Sequence, residues 1–176
     1  VTDRVPVLAD RLLTCLCDAL DASLGGPVCR CCLAPGVAVP MDVCCQCGAG
    51  DGQAAVRVAQ IYPTTSFPDP IVQSSRCMQM EWAVVLEMVV YRCAATLDDS
   101  DPPQPPTCEE VTRDALVAAD DAAAMRCAVT CCFGADPCEP GAVPGAWQPI
   151  GPSGGCHGGA MQVTVALGAE YCPGVS

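Results

Sequence analysis

Cysteine is the residue with the most chemical reach in this chain: 17 of its 176 residues are Cys. Cys29, Cys32, Cys44 and Cys47 form a C-x2-C, eleven-residue, C-x2-C array, close to the spacing of a zinc ribbon, in which two knuckles offer four thiolates to a tetrahedral metal. Cys31 and Cys45 are intermixed with that array. The same folded-back geometry also suits cross-strand disulfides or free thiols, and the general abundance of cysteine favours those over zinc. Cys127 and Cys131 share a helix face near Cys132 and Cys138, but no C-x-x-C stands at a helix start, where thiolates are activated. The expectation there is buried apolar filler rather than a redox pair.

Other reactive groups are few. The single histidine, His157, follows Cys156 in the glycine-rich Gly151-Pro-Ser-Gly-Gly-Cys-His-Gly-Gly159. A Cys/His dyad needs converging side chains and an orienting third group, and adjacent residues usually point apart. The glycine run lacks the lysine of a phosphate-binding loop. Glu109 and Glu110 are explained by capping of the helix they open. The expectation from these residues is therefore no enzyme and no cofactor.

Charge narrows the function classes. Eight Arg, no Lys and twenty Asp plus Glu give a net charge of -12. Sequence-specific DNA binding needs a basic face that releases counterions from phosphate, which eight scattered arginines do not build. An acidic surface either aids solubility or lines a passage through which a polyanion slides without sticking. Asp98, Asp99 and Asp101, in a loop with four prolines, are the candidates for such a lining.

The elements that must position these groups read as one α+β domain over residues 1–176. The sheet is mixed and mainly antiparallel, with an N-terminal helix and a long second helix packed on it and a cysteine-rich hairpin insertion at 28–52. Val5 to Leu24 is an amphipathic helix with Leu8, Leu12, Leu16 and Leu20 on an i, i+4 stripe and Asp3 as its cap. Gln53 to Tyr62 alternates as a half-exposed strand ending at Pro63, and Pro63 to Ser75 reads as a flexible connection. Glu81 to Cys93 is apolar on both faces and is the central strand. Thr107-Cys-Glu-Glu110 is a capping box opening a helix to about Cys132, with Val111, Ala115, Ala118, Ala122, Met125 and Val129 as its buried stripe. Gly134 to Gly159 reads as irregular, Met161 to Leu167 as a half-buried strand, and 168–176 as a flexible tail. Val85, Val89, Tyr91 and Trp147 are candidates for core packing or a subunit contact. The face bearing Val85, Val89 and Tyr91 needs cover from the N-terminal helix or from a neighbouring subunit.

The opening Arg4-Val-Pro-Val-Leu-Ala-Asp-Arg-Leu-Leu13, Pro27-Val-Cys-Arg-Cys-Cys32, the central strand ending Tyr91-Arg92-Cys93, and Ala146-Trp-Gln-Pro-Ile-Gly-Pro-Ser-Gly-Gly155 resemble neck proteins of long-tailed actinobacterial phages. The element order is most similar to the tail terminator. The cysteine insertion departs from a minimal terminator core. The resemblance implies a virion structural protein: a ring, usually a hexamer, that caps the tail tube, ends its polymerisation and meets the head connector while DNA passes through. Its implied partners are further copies of itself, the major tail tube protein and the connector or stopper. A stopper or adaptor of the same neck, or a zinc-binding interaction module, are the alternative readings. No secretory signal or membrane span is evident, so the expectation is assembly in the host cytoplasm and residence in the virion.

Overall fold

The computed structural model of the chain describes residues 4–41, 44–45, 52–71, 81–134 and 141–169. Helix α1, Arg4–Asp21, buries Leu8, Leu12, Leu16 and Leu20, the stripe its sequence spacing demands. Leu12, Leu16 and Leu20 are wholly inaccessible, and a fully buried leucine contributes about 1.5–3 kcal/mol. The expected Asp3 cap lies outside the described residues.

Strands β1 (Arg30–Leu33), β2 (Gln53–Ser66), β3 (Asp69–Pro70), β4 (Glu81–Cys93), β5 (Ala142–Ser153) and β6 (Cys156–Ala169) form one sheet in the order β1-β2-β4-β6-β5, with β3 paired to β2. All pairings are antiparallel except β1 with β2. The central strand β4 has the predicted bounds and is flanked on both sides along its length. Between β4 and β5 comes helix α2, Cys108–Phe133, opened by the complete Thr107/Glu110 capping box.

Both helices lie on the same face of the sheet. One core joins α1, α2 and the side chains of Val56, Val84, Leu86, Met88, Val90, Met161, Val163 and Val165. This corrects the expectation that α1 or a neighbouring subunit covers Val85, Val89 and Tyr91. Those three point to the other face and are nonetheless buried. Val89 and Tyr91 pack with Ala55, Val39, Cys44 and Cys156, so their cover comes from the cysteine-rich segment. Val85 packs with Ala83 and Tyr62 against Phe67. Between these two patches Arg57 pairs with Glu87 at 2.5 Å, and Gln162 donates to Glu87 at 3.1 Å.

Among the described residues the cysteine-rich segment forms no hairpin. Arg30–Leu33 runs parallel to Gln53–Val56, and Val39 and Cys44 between them pack beneath the sheet. Three further expectations are corrected. Pro63 to Ser75 is not wholly a loop: β2 continues to Ser66 and turns into β3, held by Thr64 Oγ1 donating to the Asp69 carbonyl and by the Tyr62 hydroxyl donating to that of Pro68. Gly134 to Gly159 is not irregular from Ala142 onward, where β5 and β6 form a hairpin. Its turn is Gly154-Gly155 at φ 58° and 77°, the positive pair that a two-residue hairpin of type I′ requires. Finally, Val111 and Ala115 are exposed, and Asp121, Ala124 and Ala128 join the buried face of α2. Of the flexible tail expected at 168–176, Gly168 and Ala169 instead end β6, paired with Trp82 and Glu81, and residues 170–176 lie outside the described residues.

Candidate functional site

The sheet end formed by the C-terminus of β4 and the start of β6 gathers most of the polar and sulfur chemistry. Arg92 and His157 face each other in register, as do Cys93 and Cys156. Alternation along a strand then sends the first pair to the helix face and the second to the face beneath.

On the helix side, Arg92 forms a fork with Asp121 of α2: Nε donates to Oδ2 at 2.8 Å and Nη2 to Oδ1 at 2.9 Å. Both side chains are 3 % exposed. Ser23 donates to Asp121 at 3.0 Å, and Arg92 Nη1 donates to the Gly25 carbonyl at 3.2 Å, so the turn after α1 is locked into the same network. Gly25 must be small, since a Cβ there would lie 2.8 Å from the guanidinium carbon. Two further carboxylates of α2 fix loops: Asp120 accepts from the Leu24 amide at 2.6 Å, and Asp114 from the Ala95 amide at 2.8 Å.

Beside this network opens a cleft of about 300 Å³, to which Glu110, Arg113, Asp114, Arg92 and His157 contribute. It therefore presents hydrogen-bonding groups of both charge signs. His157 is buried, and the neighbouring Cys156 is turned to the opposite face and disulfide-bonded, so the two do not form a dyad. Glu110 is held below the usual carboxylate range by the Thr107 backbone amide and then by the Thr107 hydroxyl, as a capping residue.

Beneath the sheet, Cys44 bonds to Cys156 and Cys45 to Cys93. The remaining described disulfides join Cys15 of α1 to Cys132 of α2, and Cys17 of α1 to Cys31 of β1. Cys29 is disulfide-bonded, Cys32 is a free thiol, and Cys47 lies outside the described residues. The four members of the zinc-ribbon spacing are thus not brought together as thiolates: Cys44 is spent on β6 and Cys29 on a disulfide. With these bonds closed, no group of three or more His, Cys, Asp or Glu among the described residues is placed to hold a metal.

Cys127 and Cys131 are free and exposed, with their Sγ atoms 3.8 Å apart, which corrects the expectation of buried filler. Their face of α2 points away from the sheet. The hydrogen bond to Cys127, then its charge, raises the Cys131 thiol.

Asp98, Asp99 and Asp101 are all exposed. Asp98 serves its own loop: its carboxylate accepts from the Gln104 amide at 2.8 Å, from the Ser100 hydroxyl at 2.5 Å and from the Ser100 amide at 3.1 Å. The Gln104 amide is the main reason its pKa lies below the ordinary value, followed by the Ser100 hydroxyl. Trp147 is half-buried against Gly159, and its Nε1 has no hydrogen-bond partner.

Sequence reasoning missed Asp121 and the role of Arg92. The available signal was the pair Asp120-Asp121 within the alanine-rich stretch Ala115 to Val129, matched by an arginine near the end of the largely apolar strand Glu81 to Cys93. No family model matches the chain, and no curated protein matches its sequence.

Proposed function

We propose that this chain is a structural subunit of the neck of a long-tailed phage, a tail terminator that assembles as a ring, ends tail-tube growth and lets DNA pass. The observation that carries the reading is the order and layering of elements: a helix, two long paired strands, a long helix and a closing hairpin, with both helices on one face of the sheet. That order is the basis of the resemblance to tail terminators. The net charge of -12 and the exposed Asp98, Asp99 and Asp101 suit a passage for a polyanion.

A surface for self-association is also at hand. β1 pairs with β2 only as far as Val56, and β3 begins its pairing at Thr64, so the outer edge of β2 between them has no partner strand among the described residues. Val58 and Ile61 are exposed in this stretch. Their register partners are Leu86 and Val84, which places them on the helix-side face. An open edge with apolar side chains is the kind of surface a neighbouring subunit covers. The face bearing Val85, Val89 and Tyr91, by contrast, is covered within the chain and offers no such surface.

Deletion of the coding sequence from the phage that carries it tests the reading. A terminator's loss gives tails of unregulated length. Tails of normal length that fail to join heads indicate a stopper or adaptor, and unaltered particles refute a neck role.

A further inference from the structure

We propose that Cys44, Cys45, Cys93 and Cys156 form a tetrathiolate zinc site in the reduced chain, at the place where the oxidised chain holds two disulfides. Cys44 and Cys45 are adjacent in sequence, and their Sγ atoms are 3.5 Å apart. Cys93 and Cys156 are directly opposed on neighbouring strands and point to the same face. The bonds Cys44–Cys156 and Cys45–Cys93, with Cα separations of 6.0 and 4.9 Å, join one dipeptide to one cross-strand pair. The Sγ atoms of Cys44 and Cys45 lie 3.8 and 3.4 Å from one carbonyl oxygen, that of Gly155. Four sulfurs are therefore confined to one small volume by two strands and one loop.

That arrangement matches what zinc demands. Zn–S bonds of about 2.3 Å place tetrahedral sulfurs about 3.8 Å apart, close to the spacing already present between Cys44 and Cys45. Cys44 and Cys156 are buried, Cys93 is half-buried and Cys45 is exposed, so the site is closed on the sheet side and reachable from outside. The linear spacing Cys29, Cys32, Cys44 and Cys47 does not select this set, because two of its members come from strands far along the chain.

The conversion balances. Two equivalents of a dithiol reductant each deliver two electrons and two protons to a disulfide and leave as cyclic disulfides, giving four thiols. Zinc(II) then displaces four protons and binds four thiolates, for a net site charge of -2. In both states Cys44 and Cys45 stay tied to the sheet, and with them Val39 and Cys44 stay over Ala55, Val89 and Tyr91, so the lower core keeps its cover whichever redox compartment the chain occupies.

The test uses the full chain, produced in a reducing cytoplasm and purified with a dithiol reductant and no chelator. Elemental mass spectrometry should find one zinc per chain, and cobalt(II) in its place should show the bands of a tetrahedral tetrathiolate. Alkylation of the zinc-loaded protein, read by peptide mass spectrometry, should leave Cys44, Cys45, Cys93 and Cys156 shielded while Cys127 and Cys131 react. This measurement needs no variant to fold. Cys93→Ser and Cys156→Ser should each lose the stoichiometric metal, and Cys32→Ser should keep it. Oxidised glutathione should release the zinc and yield the Cys44–Cys156 and Cys45–Cys93 peptides. A reduced, folded chain with no metal, or with metal shielding Cys29, Cys32, Cys44 and Cys47 instead, overturns the proposal.

Discussion

Replacing Arg92 by methionine removes the cation whose Nε and Nη2 hold the Asp121 carboxylate. Asp121 is 2 % exposed, and after the substitution the Ser23 hydroxyl still donates to it at 3.0 Å. Truncating one partner of a buried, hydrogen-bonded ion pair costs about 3–5 kcal/mol, because the other charge stays buried and unpaired. The loss also frees the Gly25 carbonyl, which accepts from Arg92 at 3.2 Å. Arg92→Met and Asp121→Leu should each lower the unfolding free energy of the oxidised protein by about that amount. The double variant Arg92→Met/Asp121→Leu leaves no buried charge and should recover most of the loss. Equilibrium urea unfolding of the four proteins forms the double-mutant cycle. Single variants costing under about 1 kcal/mol, or additive costs in the double variant, would refute the claim that this fork holds both helices to the sheet end.

Glu110 and Asp98 carry pKa values lowered from 4.5 and 3.8 by hydrogen bonds made only in the folded chain. Depressed folded values mean that their support is complete above those unfolded values and lost as pH falls through the folded ones. Amide-exchange protection in the first turn of α2, taken relative to the intrinsic rate at each pH, should therefore fall on acidification below about pH 4.5, and Glu110→Gln should flatten that dependence; an unchanged profile would contradict it. In Gly159→Ala the new Cβ would stand 2.3 Å from Trp147 Nε1, so overpacking should cost about 1–3 kcal/mol in urea unfolding, with the tryptophan emission shifted. The Cys15–Cys132 disulfide spans 117 residues, and its removal in Cys15→Ser/Cys132→Ser should cost about 4–5 kcal/mol under non-reducing conditions. A loss under about 1 kcal/mol would show that it does not restrain the unfolded chain.

Local signals carried far into the fold. The i, i+4 leucines of α1, the two-faced apolar run of β4 and the Thr107/Glu110 box each depend on residues close in sequence, and each appears where those residues put it. What was not legible depends on distant partners. Cys44 and Cys45 read as half of a local array, whereas their bonds go to Cys156 and Cys93, sequence separations of 112 and 48. Nor does any turn residue specify the parallel pairing of Arg30–Leu33 with Gln53–Val56. The segment read as irregular contains β5, which holds Pro144, Pro149 and Pro152 because it lies at the sheet edge, where a missing amide breaks no ladder on the open side. On α2 the predicted stripe ran along Val111 and Ala115, but the first half of the helix extends past the core, and the charged Asp121 takes the buried position instead.

Electron microscopy of the purified protein and of intact particles tests the neck assignment most directly. The expected result is closed rings in solution and a ring of the same size seated between tail tube and connector, with density for this chain's two helices and sheet in each subunit. Monomers in solution together with particles that lack the chain at that junction would contradict it.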